Sequence, residues 1–264
     1  MVGFELLRAT HRVGRGLFNA LAELGSARSA PPRDPRDAAH RLAGALGTIA
    51  RAHDLAVTVK GVIPRERVLL VANHVGYLDT LAVLPVCPAA PIAKSEVMEW
   101  PIIGAIGAAL GVVFVECGDT MGRARVLRRM HSLLASGVSV LNFPEGTTSH
   151  GDRVLPFRRG SFGIAQRLNV PVVPIAIRYQ DPALAWCDDA TFLPHYLKMT
   201  SRARVEVELT FGAPMSPRAG EPPEDMAARA RNAIAKMLRI TDAAIRPGLP
   251  PARTNPVFPP RRVA

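Results

Sequence analysis

The sequence predicts an α/β fold: a largely parallel central sheet flanked by helices, preceded by a small N-terminal two-helix unit. Two observations carry this expectation. Short apolar runs of strand length, Val68–Ala72, Val138–Phe143 and Val170–Tyr179, alternate with stretches of helical length and composition, the pattern of a parallel sheet built from crossover units. Polar residues also stand where two of these runs stop, Asn73-His74 after the first and Glu145 after the second. In α/β proteins ligands bind just beyond the carboxyl ends of strands.

In chain order, Phe4 to Leu24 places Phe4, Leu6, Leu7, Val13, Leu17, Phe18, Leu21 and Leu24 at roughly helical intervals, with Arg8, His11, Arg12 and Arg15 between them. This is a basic amphipathic helix, suited either to a bilayer interface, with its arginines on anionic headgroups, or to packing on the domain. Gly25 to Asp37, with Pro31, Pro32 and Pro35, reads as a loop, and Ala38 to His53 as a second helix. Ala56–Lys60 is a strand, Gly61–Arg67 a turn, and Val68–Ala72 the strand feeding His74; Leu78–Leu84 then begins a helix that Pro85 interrupts.

Val97 to Val115 is the most apolar stretch and nearly reaches the length of a membrane span. Glu99, Pro101 and its glycines favour instead a short Ala/Gly helix ending near Gly111, followed by the strand Val112–Val115. Met121–Ala135 is a basic helix ended by Gly137, Val205–Phe211 a further strand, Pro222–Ile240 a last amphipathic helix, and Arg246–Ala264, rich in Pro and Arg, a disordered tail. The chain thus divides into a helical, membrane-associating segment (1–55), an α/β domain (56–243) and a tail (244–264).

A chain of 264 residues, 48% hydrophobic and 21% charged, has enough apolar surface for one sizeable core. Its net charge of +11 suits an anionic partner: nucleic acid, an acidic bilayer surface or a phosphorylated substrate. With 5% aromatic residues and no basic cluster interleaved with stacking residues, nucleic acid is not expected. Cys87, Cys117 and Cys187 are widely spaced, which excludes a disulfide framework and a Cys-rich zinc site and suits a reducing compartment. No ligand spacing implies a metal or cofactor. Met1 is followed by an Arg-studded segment with no long apolar core or small-residue cleavage site, so the protein is expected on the cytoplasmic side of the membrane, peripheral or monotopic.

His74 and Asp79 are five apart, off a common helical face, so they can meet only if the chain turns at Val75-Gly76-Tyr77. An Asp bonded to one imidazole nitrogen fixes the tautomer and stabilises the imidazolium formed when the other nitrogen takes a proton. That makes a general base with its orienter, and a substrate hydroxyl can supply the nucleophile. Among seven His, an Asp five residues on arises readily by accident; the weight comes from what lies further along. Phe143-Pro144-Glu145-Gly146-Thr147-Thr148-Ser149 sits at a strand end, with Arg158 and Arg159 following to hold phosphate oxygens.

Asn73-His74-x4-Asp79, then Phe143-Pro144-Glu145-Gly146-Thr147, then Val170-Pro171-Val-Val-Pro174, in this order, resemble the glycerolipid acyltransferases typified by bacterial 1-acylglycerol-3-phosphate acyltransferase. The resemblance runs from about Val57 to Phe211. It implies transfer of a fatty acyl group from acyl-coenzyme A or acyl carrier protein to a lysolipid hydroxyl at an anionic membrane surface. It also implies His74 as base, Asp79 as orienter, and Asn73, Glu145, Gly146, Thr147, Arg158 and Arg159 as substrate-binding residues, Arg158 ahead of Arg159 for phosphate. The family's phosphate-binding arginine is replaced here, because Phe114-Val115-Glu116-Cys117 puts Cys117 in its place, and Arg123, Arg125, Arg158 or Arg159 are the candidates to substitute for it. The expected acceptor is 1-acyl-sn-glycerol-3-phosphate, with lyso-ornithine lipid, which has no phosphate, as the alternative. A thioesterase and a non-enzymatic lipid-binding protein are the competing classes; the chain has no Gly-x-Ser-x-Gly elbow, His-Glu-x-x-His or phosphate-cradling Gly-x4-Gly-Lys loop.

Overall fold

A computed structural model describes residues 2–99, 103–115, 120–187 and 191–240. The expected Cys117 substitution and the 244–264 tail lie outside the described residues. Helices α1 (Val2–Ser29) and α2 (Pro35–Ala52) lead into strands β1 (Leu55–Lys60) and β2 (Leu69–Ala72) and the short helix α3 (Leu78–Val83). Then come β3 (Ala90–Lys94), a 3-10 turn (Ser95–Glu99), α4 (Ile103–Ala109), β4 (Val113–Val115), α5 (Thr120–Ala135) and β5 (Val140–Asn142). The chain continues with α6 (Gly160–Arg167), β6 (Val172–Tyr179), a 3-10 turn (Pro182–Leu184), α7 (Phe192–Ser201), β7 (Val205–Phe211) and α8 (Pro223–Leu238).

The strands form one sheet in the order β1-β7-β6-β2-β5-β3-β4. Every pairing is parallel except β6 with β7, so β1 and β7 run against the rest. The largely parallel α/β sheet expected from the sequence is present. Its central strands β2 and β6 are near-continuous apolar runs because helices cover both faces there. Along β2 the side chains alternate: Leu70 and Ala72 enter the core under α2, α3, α4 and α7, while Leu69 and Val71 enter the core under α5, α6 and α8. All four are buried, and burying a Leu or Val side chain stabilises by roughly 1.5–3 kcal/mol.

The structure departs from the sequence expectation in identifiable places. The loop expected from Gly25 begins only at Ala30, because α1 continues to Ser29 with Ala27 buried in the core. The Arg41 side chain, reaching over from α2, donates to the terminal carbonyls of Ser26 and Ala30. Strand β3 was not expected, since Pro91 interrupts the apolar run; the strand nevertheless pairs with β5 at one end and β4 at the other. Helices α6 and α7 are short and carry Gly160 at the start and Pro194 in the first turn respectively, which masks their periodicity.

One side chain ties α1 down. Arg12, 3% exposed, donates to Asp54 and to the carbonyls of Thr200, Arg202 and Ala203, so a cation meets the carbonyl end of α7. One turn on, Gly16 lies so close to His53 that a Cβ would stand 2.5 Å from its ring. The His53 Nδ1–H donates to Ile49 O at 2.8 Å, and its Nε2 accepts from the Tyr196 hydroxyl at 2.7 Å. The opposite side of α1 leaves Phe4, Leu6, Leu7, Leu17, Phe18 and Leu21 exposed. Among the described residues, no helix is long and apolar enough to cross a membrane.

Candidate active site

The site lies beyond the carboxyl ends of β2 and β5. Asn73 ends β2 fully buried, its amide nitrogen donating to Ile177 O at 2.9 Å and its amide oxygen accepting from Ile177 N at 2.8 Å. This side chain therefore continues the pairing of β2 with β6 by one step. Asn73 was expected among the substrate-binding residues; burial and both bonds commit it instead to holding the turn that follows.

That turn returns the chain on itself, and Asp79 N donates to Gly76 O at 3.1 Å. His74 and Asp79 meet as the spacing required: the imidazole Nδ1–H donates to Asp79 Oδ2 at 2.7 Å. The same oxygen accepts from Val75 N at 2.7 Å and Gly76 N at 3.1 Å, and Oδ1 accepts from the Tyr179 hydroxyl at 2.7 Å. Asp79 is wholly buried and fully bonded, the condition under which a charge is tolerated inside a protein. With Nδ1 carrying the proton, Nε2 is the basic nitrogen of the ring. The ring is 21% exposed and lies flat on Phe143, centroids 4.1 Å apart. Two more segments brace the turn: Ser149 N donates to His74 O at 2.8 Å, and Trp186 N to Val75 O at 2.9 Å.

Glu145 enters from the turn after β5. It is 5% exposed, and neither carboxyl oxygen has a hydrogen-bond partner. Burial pushes its pKa well above the usual carboxylate range, and the charge of Asp79 pushes the same way; the nearby amides of His74 and Leu155 and the Arg231 guanidinium oppose without prevailing. A buried carboxyl with unused oxygens beside the His74–Asp79 pair is a candidate to bind a polar group.

Gly146 follows with φ +72°, a left-handed turn that strains any residue with a Cβ. The Arg158 guanidinium packs over it: a Cβ on residue 146 would stand 2.7 Å from Arg158 Cζ. Thr147, the next residue of the same loop, is buried. The structure thus brings His74, Asp79, Glu145, Gly146, Thr147 and Arg158 together. Arg159, expected beside Arg158 as a phosphate contact, turns away and pairs with Glu224 in the first turn of α8. Both partners of that pair are well exposed, so it contributes little to stability. Its effect is directional: the guanidinium is held over α8.

Tyr179 was not foreseen. It lies 100 residues from Asp79 in the chain and reads in the sequence only as the end of an apolar strand.

Residues 54–178 match the family model described as Acyltransferase. The matched segment contains the whole His74 turn, the Glu145 loop and Arg158. The chain is similar to a lyso-ornithine lipid O-acyltransferase of Rhizobium meliloti (strain 1021), 35% identical over 177 residues, or 60% of this chain and 61% of that one. It is also similar to a 1-acyl-sn-glycerol-3-phosphate acyltransferase of Neisseria gonorrhoeae, 37% identical over 114 residues, or 43% of this chain and 45% of that one. The chain thus spans about three-fifths or less of these relatives. In fold, it is similar to the crystal structure of the 1-acyl-sn-glycerophosphate (LPA) acyltransferase PlsC from Thermotoga maritima, with a TM-score of 0.66, 23% identity, and coverage of 89% of this chain and 95% of that one.

Proposed function

We propose that the protein is an O-acyltransferase that moves a fatty acyl group from acyl-coenzyme A or acyl carrier protein to the free hydroxyl of a lysolipid. The observation that carries this reading is His74, its Nδ1 held by a buried, fully bonded Asp79 and its Nε2 left as the basic nitrogen. In the proposed reaction Nε2 takes the proton of the acceptor hydroxyl as that oxygen attacks the thioester carbonyl. A tetrahedral oxyanion forms and collapses, the carbon–sulfur bond breaks, and the departing thiolate recovers the proton from His74. Positioning of two substrates suffices, and no acyl-enzyme is needed. Glu145, Gly146 and Thr147 contact the acceptor, and Arg158 receives its anionic headgroup.

The exposed apolar residues of α1, with the net charge of +11, support docking on an anionic membrane surface. The cytoplasmic leaflet is the proposed side of the reaction. For the acceptor, Arg158 above Gly146 favours 1-acyl-sn-glycerol-3-phosphate, giving phosphatidic acid. A second reading, lyso-ornithine lipid, is favoured by the wider reach of the relatives so named, at 60% and 56% of this chain against 43%, and by Cys117 at the family's arginine position.

The test is purified protein in detergent with acyl-coenzyme A, following thiol release with lysophosphatidic acid, with lyso-ornithine lipid and with neither. Release that needs the phosphate acceptor supports the first reading, and release with only the other supports the second. Equal release with neither would replace both by a thioesterase.

A further inference from the structure

Asp79 receives four hydrogen bonds, and one of them comes from outside the segment that forms the catalytic turn. His74, Val75 and Gly76 all load Oδ2; Oδ1 has the Tyr179 hydroxyl, at 2.7 Å. Asp79 is inaccessible to solvent and Tyr179 nearly so, so no bulk water can take over the role. Strand β6 therefore grips the turn twice, two residues apart: the Ile177 backbone holds Asn73 and the Tyr179 side chain holds Asp79. The first grip sets where the turn leaves the sheet. The second fixes the plane of the carboxylate, because it is then bonded at both oxygens.

We propose that Tyr179 is a positioning residue for the general base, holding Asp79 so that Oδ2 faces His74 and drawing charge toward Oδ1. This deepens, and rests on, the reading of His74 as the base. Packing alone would leave the phenol oxygen aimed anywhere, but here it meets a buried carboxylate at charge-assisted distance. Desolvation, reinforced by the Asp79 charge, raises the phenol's pKa well above its ordinary value, so it stays a proton donor. The other ionisable groups facing the pair are Glu145 from the turn after β5 and Tyr77 from the head of α3, both held toward their neutral forms by burial.

Removing the hydroxyl would leave Oδ1 without a partner and concentrate charge on Oδ2. The carboxylate would then swing more freely and hold the imidazolium more tightly. Two consequences are separable: a slower chemical step from lost orientation, and a base that keeps its proton to higher pH.

The experiment is Tyr179→Phe, which keeps the ring, assayed across pH for kcat and both KM values. In parallel, the His74 Nδ1–H proton is followed by NMR in 15N-histidine-labelled protein. The expected result is a fall in kcat of about tenfold with both KM values within about twofold, an acid limb displaced upward by about half a unit, and a shifted or broadened Nδ1–H signal. A melting curve establishes that the variant is folded. An unmoved acid limb together with an unchanged Nδ1–H signal would overturn the proposal and leave Tyr179 as packing only. The NMR signal needs no turnover, so it judges Tyr179 even if neither lysolipid proves to be a substrate, an outcome that would count against the function and not against this contact.

Discussion

Asp79→Asn separates the charge of the orienter from its geometry, and the surroundings dictate how the amide must sit. The N–H groups of Val75 and Gly76 both point at the Oδ2 position, so only the amide oxygen can occupy it. The amide nitrogen then takes the Oδ1 position, where the Tyr179 hydroxyl can turn to accept. His74 Nδ1–H keeps an oxygen acceptor and the ring keeps its tautomer; what disappears is the negative charge facing the imidazolium. At a charge separation of about 4 Å and an effective dielectric constant of about 20, that attraction is about 4 kcal/mol, or a factor of roughly 1,000. The imidazolium is only partly formed in the transition state, so kcat is expected to fall about 100- to 1,000-fold. Reversal of the tautomer in a triad costs about ten times more than the upper figure. The assay is saturating acyl-coenzyme A and lysolipid with thiol release, alongside a melting curve expected to move by only a few degrees. A kcat within threefold of the parent would refute the reasoning by showing that the charge on Asp79 does nothing.

Other expectations follow from the same geometry. Glu145 has a raised pKa, so the folded protein binds its proton more tightly than the unfolded chain does. Its favourable contribution is therefore full below about pH 4.5 and is lost as pH rises toward the folded-state value. Glu145→Gln should flatten the decline of melting temperature between pH 5 and 8, and an unchanged slope would mean that the carboxyl is ionised throughout. Arg12→Met removes the donor to three carbonyls and to Asp54. Asp54 is 53% exposed and can turn to water, so the cost comes mainly from the carbonyls, about 2–3 kcal/mol. A melting temperature lower by roughly 5–10 °C checks this, with earlier proteolysis between α1 and α2.

The His74–Asp79 turn was legible because its geometry is local. His74, a Gly-containing break and Asp79 lie within one stretch, and their spacing admits a contact only if the chain reverses. The sheet was legible for a similar reason: strands buried on both faces are apolar nearly throughout, as Val68–Ala72 and Val170–Ile177 are. What escaped notice depends on partners distant in sequence. Asn73 carries the residue type of a binding group, and only the position of Ile177 shows that its amide is used up by β6. Arg158 and Arg159 are adjacent and chemically identical, yet Gly146 draws one over the site and Glu224 draws the other away. Tyr179 has no local signal at all. Strand β3 was hidden by Pro91, which breaks an apolar run without preventing ladder pairing on either side.

The central claim is that His74 activates the acceptor hydroxyl directly. Its most direct test is product formation from labelled acyl-coenzyme A and a lysolipid by the parent protein and by His74→Ala, both shown to be folded. The account predicts acylated lipid from the parent only, in amounts that depend on the acceptor. Acylated lipid from His74→Ala at the parent's rate would contradict it.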